Sequence, residues 1–100
     1  QDQDNKTADK RTTPEGFYLS NYPNPFNPST VIRYSIPKDL HVKLVVYDVT
    51  GKEVKTLVNE TKSAGSYSVE FNAGKYASGV YYYKLEAGEY KNIQRMVLVK

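Results

Sequence analysis

No cysteine and no tryptophan occur in the sequence, and it holds a single histidine and a single methionine. Without cysteine there is no disulfide frame, no thiolate metal site and no cysteine nucleophile, so stability rests on packing alone. The lone histidine, His41, opens an amphipathic stretch with no evident partner, and a nucleophile–base pair for hydrolysis needs such a partner; it reads as a strand-edge surface residue. Apolar runs fall far short of the ~20 residues that a membrane-spanning helix requires. No signal peptide opens the sequence, so an exported protein would carry the address for its first membrane upstream. Gly51, Gly65, Gly74, Gly79 and Gly88 are isolated, turn-like glycines that make no phosphate-cradling loop. The net charge of +3 comes from 14 basic and 11 acidic residues scattered along the chain, where nucleic-acid binding calls for clustered Lys and Arg.

What the sequence does have is tyrosine: ten, beside three phenylalanines. One hundred residues suffice for one core. Residues Gln1–Gly16 contain one apolar side chain, Ala8, and too little buriable surface to offset the entropy of ordering; they read as a flexible linker, with the domain spanning residues 17–100. From Phe17 onward, short β-branched and aromatic runs alternate with turn signals. The expected strands are Phe17–Tyr22, Thr30–Ile36, His41–Asp48, Glu53–Val58, Ser66–Phe71, Val80–Ala87 and Tyr90–Lys100. Alternation directs Ile32, Tyr34 and Ile36 to one face, then Val42, Leu44 and Val46, then Tyr67, Val69 and Phe71, then Tyr81, Tyr83 and Leu85. Val45 and Tyr47 make the other face of the third run apolar too, which predicts a central strand covered on both sides. Gly51 supplies the positive φ of a tight hairpin. Asn59–Gly65 reads as a loop, and Tyr76, in the connection Asn72–Gly79, as a plug over the core edge. No helical stripe occurs. About seven short strands in one domain predict an all-β, immunoglobulin-like antiparallel sandwich.

Candidate chemistry is sparse. Asp39, Asp48, Glu53, Glu60, Glu70, Glu86 and Glu89 lie at turns and on polar strand faces, where they solubilise and do not pair for acid–base work. Asp2, Asp4 and Asn5 come nearest to a calcium loop but lack its glycine and distal glutamate. Neither a catalytic residue, a metal site nor a cofactor is expected. Tyr82, with Tyr47, Tyr76 and Tyr90, offers a sugar-stacking platform if those rings share a surface. Pro23, Asn24, Pro25, Phe26, Asn27 and Pro28 are not generic: three prolines fix φ and hold the residues before them extended. Asn24 and Asn27 suit Asx-type turns, and Phe26 is placed to drop into the sandwich end as a plug.

Five separated blocks then carry a family likeness: YPNPFNPSTVIRYSIP from Tyr22, VKLVVYDVTGKEVKTLV from Val42, AGSYSVEFNA from Ala64, SGVYYYKLEAGEY from Ser78, and QRMVLVK from Gln94. Together they resemble the type A C-terminal sorting domain of the type IX secretion system (Por secretion tail-like) over about Leu19–Lys100. The immunoglobulin-like domain of flagellar hook-capping proteins is similar in the Asn-Pro-Phe-Asn-Pro, Tyr-Asp-x-x-Gly and Gly-Val-Tyr blocks. The sequence stops directly after its last strand, which favours the sorting domain. Residue by residue, Pro23, Asn24, Pro25 and Phe26 match the opening block, Gly51 the hairpin glycine, and Gly65 the glycine before the fifth strand. Gly79 and Tyr81 match the Gly-x-Tyr block, and Arg95, Val99 and Lys100 the basic and aliphatic ending, with Arg where Lys is often found.

The resemblance implies a non-catalytic module at the C-terminus of a secreted cargo of a Bacteroidota-like bacterium. It implies a cargo that crosses the periplasm and is carried by the outer-membrane translocon to the cell surface or medium. A surface sortase-like protease then removes the domain and attaches the cargo to an anionic lipopolysaccharide. Cleavage is expected in Gln1–Gly16, and receptor pairing along Arg95–Lys100 by strand addition. The alternative is an accessory carbohydrate-binding or spacer domain of an extracellular enzyme.

Overall fold

The computed structural model describes residues 16–100, so the expected linker, apart from Gly16, and the Asp2/Asp4/Asn5 group lie outside the described residues. Seven strands form: β1 Tyr18–Tyr22, β2 Ser29–Ile36, β3 Leu40–Asp48, β4 Glu53–Lys62, β5 Gly65–Asn72, β6 Gly79–Ala87 and β7 Tyr90–Leu98. All pair antiparallel, in a three-stranded sheet ordered β1-β2-β5 and a four-stranded sheet ordered β4-β3-β6-β7. No helix is present among the described residues. This is the expected immunoglobulin-like sandwich.

The two sheets meet through the faces that alternation selected. Ile32, Tyr34 and Ile36 face Val42, Leu44, Val46, Tyr83 and Leu85 in one buried cluster, completed by Leu19, Phe26, Phe71, Tyr81, Met96 and Leu98. Val45, on the opposite face of central β3, is also buried, as its place between β4 and β6 predicts. Tyr67 and Val69 turn inward as expected but stay half-buried, because β5 is an edge strand.

One expectation fails: Asn59–Lys62 is not loop but the second half of β4, pairing Asn59 with Lys43 and onward to Lys62 with Leu40. An edge strand exposed on both faces needs no apolar alternation; β3 offers it four more backbone partners, and register shifts at Leu44/Val45 and Val46/Tyr47 re-aim it. At the β3–β4 turn the carboxylate of Asp48 accepts from Thr50 N (2.9 Å), Thr50 Oγ1 (2.6 Å) and Lys52 N (3.0 Å). Gly51 sits at φ 90°, a left-handed conformation that only glycine adopts cheaply.

Truncating a fully buried, central side chain removes transfer energy and leaves a void, so Leu44→Ala should cost about 2–5 kcal/mol, whereas Thr61→Ala, on the exposed edge, should stay within about 0.5 kcal/mol. Urea unfolding followed by tyrosine fluorescence measures both.

Candidate functional site

After Tyr22 the chain leaves the three-stranded sheet, crosses the open side of the sandwich and joins the other sheet at β7. Asn24 makes the first contact with its side chain: Nδ2 donates to Arg95 O (3.2 Å) and Oδ1 accepts from Val97 N (3.0 Å). Phe26 makes the second with its backbone, donating to Val97 O and accepting from Val99 N, each at 2.9 Å. The result is a short parallel pairing of Phe26 with Leu98. The three proline peptide bonds of the segment, at Pro23, Pro25 and Pro28, are cis.

The Phe26 ring drops into the core at 1% exposure, the expected plug. Rings follow one another from it: Phe26 to Phe71 at 6.2 Å, Phe71 to Tyr76 at 5.9 Å, Tyr76 to Tyr81 at 6.5 Å. Tyr76 therefore closes the core edge as expected. Below them lies a polar chain: Tyr83 Oη donates to Asn21 Oδ1 (2.9 Å), Asn21 Nδ2 to Thr30 Oγ1 (3.1 Å), and Thr30 Oγ1 to Pro23 O (2.9 Å). Thr30 is the one buried polar residue among the described residues, and its donor and acceptor are both satisfied. Desolvation pushes the Tyr83 hydroxyl well above the ordinary tyrosine range, so it stays a proton donor to Asn21. The β5–β6 connection is tied in as well, through Ala73 N to Pro28 O (2.8 Å) and Lys100 Nζ to Gly74 O (2.7 Å).

Pro23–Pro28, Gly79, Tyr81, Arg95, Val99 and Lys100, separated by up to seventy-odd residues, thus gather at one end of the sandwich. Gly79 faces Leu98 across the β6–β7 pair, and Tyr81 is buried with its hydroxyl on Ala77 O (2.6 Å). Outward, this tip displays Pro25, Asn27 and Val99, the last 44% exposed, and Tyr22, 79% exposed, beside them.

A family model described as the secretion system C-terminal sorting domain matches residues 20–100. The chain belongs to that family. No curated protein and no solved structure matches it. The sorting domain is accordingly a C-terminal sorting signal of type IX secretion, which implies an upstream cargo and export to the cell surface or medium.

Two of the matched glycines stand apart from the tip of the sorting domain. Gly51 lies in the β3–β4 turn, around the corner from Tyr81, whose strand partner is Asp48. Gly65 is at the other end, opposite Ile36. That other end is also where the chain arrives: Ser35 Oγ holds Gly16 O at 3.2 Å, and Phe17 stacks on Tyr90 at 4.0 Å and 11°. The tyrosines expected to form a sugar platform are dispersed, Tyr76 in the tip and Tyr90 at the opposite end, while Tyr47 and Tyr82 pair on the outer sheet face. Among the described residues no group of three or more His, Cys, Asp or Glu is placed to hold a metal, and no helix is long and apolar enough to cross a membrane.

Asn21, Thr30, Tyr83 and the Ala73–Gly74 loop were missed as parts of this site. Thr30 carried a usable signal, since it continues the inward series of Ile32, Tyr34 and Ile36 with a polar group that demands a partner. The others carried none, because their partners are distant in sequence.

Asn24→Ala removes both side-chain bonds to β7, which are solvent-exposed, at a cost of about 0.5–1.5 kcal/mol; urea unfolding should show it, with faster amide exchange at Val97. The carboxyl of Asp48 is held below its ordinary value of 3.8, first by the Thr50 hydroxyl and then by Lys52 N. A depressed carboxyl stabilises the fold above its unfolded pKa and loses that contribution as pH falls through the folded value. The melting temperature of Asp48→Ala should therefore lie below wild type at pH 6, with the gap narrowing as pH falls below the ordinary value of 3.8; a gap that does not narrow there would contradict the assignment.

Proposed function

We propose that the outer-membrane translocon of the type IX system reads the tip formed by Pro23–Pro28 with Arg95–Lys100, and that the domain itself performs no catalysis. The observation that carries this reading is the hydrogen-bonded union of Asn24 and Phe26 with β7. It turns two sequence blocks that match the family into one preorganised surface, and preorganisation lowers the ordering cost of recognition. It also revises the expected mode of capture. Val97 O and Val99 N, which a receptor strand would have used, are already bonded to Phe26, so the receptor engages the displayed side chains of Tyr22, Pro25, Asn27 and Val99 and not the backbone of that edge.

The cargo joins at the Phe17 end, so a receptor on the tip and a folded cargo do not compete for space. A surface sortase-like protease then cuts within Gln1–Gly16, releasing the cargo from the sorting domain.

The test is a signal-peptide-bearing fluorescent reporter fused to the full chain, in strains with and without a working type IX system. Wild type should reach the surface or medium only in the first. Tyr22→Asp and Val99→Asp, both on exposed side chains, should lower delivery by about tenfold or more while the melting temperature of the purified domain shifts by no more than about 3 °C. Full delivery by both variants would overturn the tip as the recognised surface; delivery of wild type in the strain lacking the system would overturn the route.

A further inference from the structure

Packing alone does not call for a hydroxyl at Thr30. The residue continues the inward series of Ile32, Tyr34 and Ile36 along β2 and is as buried as they are. A valine there would fill the same space, and burying a hydroxyl costs free energy unless the group is bonded. Nor does the Pro23 carbonyl, which Thr30 Oγ1 meets at 2.9 Å, depend on that hydroxyl for a partner, because Asn21 Nδ2 also donates to it at 3.3 Å. Asn21 in turn lines a cleft of about 580 Å³ between β1 and β7, which puts it within reach of water.

The hydroxyl is one link of a closed circuit. Tyr83 Oη of β6 reaches from the four-stranded sheet to Asn21 Oδ1 of β1 in the other (2.9 Å), and Asn21 Nδ2 donates to Thr30 Oγ1 of β2 (3.1 Å). Thr30 and Asn21 together hold Pro23 O. The next residue, Asn24, bonds Arg95 O and Val97 N of β7, and β7 returns to the start through the pairing of Gln94 with Tyr83. Asn24 is thus held from both sides, by β7 ahead of it and by a carbonyl behind it that side chains of two strands fix. Water could satisfy such groups singly, but a fully bonded buried network holds one arrangement.

We infer that Thr30, with Asn21 and Tyr83, is a positioning residue for recognition: its hydroxyl fixes the Pro23 carbonyl and, through Asn24, sets where the displayed side chains of Tyr22, Pro25, Asn27 and Val99 stand. The inference rests on the reading of the tip as the receptor surface. It separates from a merely structural role, in which delivery would follow the stability of the whole domain and the tip would keep its order.

The test uses the full chain in two assays. In the reporter assay Thr30→Val should lower delivery about five- to tenfold, the equivalent of one hydrogen bond, and Thr30→Ser, which keeps the hydroxyl, should restore it. Ile36→Val, which trims the core at the other end at a similar cost in melting temperature, should deliver like wild type. By nuclear magnetic relaxation, backbone order parameters at Asn24, Phe26 and Asn27 should fall in Thr30→Val from the rigid value of about 0.85 towards about 0.6, with those along β3 unchanged. Tyr83→Phe, which removes only the donor to Asn21, should move both readouts the same way and serves if Thr30→Val folds poorly. Unchanged order at the tip in both variants, or a loss of delivery that Ile36→Val shares, would overturn the positioning role. Loss with Tyr22→Asp and Val99→Asp but full delivery by Thr30→Val and Tyr83→Phe sinks that role and leaves the tip standing. Full delivery by Tyr22→Asp and Val99→Asp sinks the tip and the positioning role with it, even where the order parameters fall.

Discussion

Everything distinctive about this domain depends on one short parallel pairing, that of Asn24 and Phe26 with the outer edge of β7. A sandwich of two open sheets has four edges, and an uncovered edge is a template for unwanted strand addition. Here the first strand is divided between the sheets: β1 serves β2, and after the Pro23 turn the chain serves β7. The division demands a backbone that leaves one ladder and meets another within a few residues. Proline suits that path because it cannot donate to either ladder, and Asn24 supplies with its amide what the backbone at that point does not, one donor and one acceptor spaced like a strand residue.

Most of the architecture was legible because alternation is a local property. Tyr81 and Tyr83 were readable as core and Tyr82 as displayed from three consecutive tyrosines, since successive side chains in a strand point to opposite faces. Phe26 and Tyr76 were readable as plugs because each is an isolated aromatic in a polar, turn-rich stretch with nowhere else to go. The second half of β4 was not legible: its Asn, Glu, Thr and Lys residues have no buried face to register, and only β3 beside them makes a strand of them. Nor was the partner of Asn24, since one sequence does not say which edge a rigid segment will cover. The edge that the sequence appeared to offer a receptor, Arg95–Lys100, is for that reason largely taken.

The two ends of the sandwich are chemically different, and the difference has a physical origin in the strand order. At the Phe17 end, closure is by two stacked aromatic pairs, Phe17 on Tyr90 and Tyr34 on Tyr67, by the β6–β7 hairpin and by two turns that pass between the sheets. At the tip, closure needs four rings, a buried threonine and a chain of hydrogen bonds from Tyr83 to Pro23, because the crossing segment brings polar backbone over an apolar core and each group must find a partner. Satisfying those groups fixes the outward shape of the segment as a by-product. A surface whose underside is held by so many bonds keeps its exposed side chains in one arrangement.

That dependence decides what a reader of this surface measures. Asn24 and Val97 are more than seventy residues apart, so the displayed arrangement of Tyr22, Pro25, Asn27 and Val99 exists only when both sheets have formed and β7 has docked on β6. In an unfolded chain the two blocks are separate polar and aliphatic stretches with no shared geometry, and closing a loop of that length without the core to hold it is entropically unfavourable. A receptor that recognises the assembled tip therefore responds to completed folding of the sorting domain, and it does so without contacting the core that makes the folding favourable.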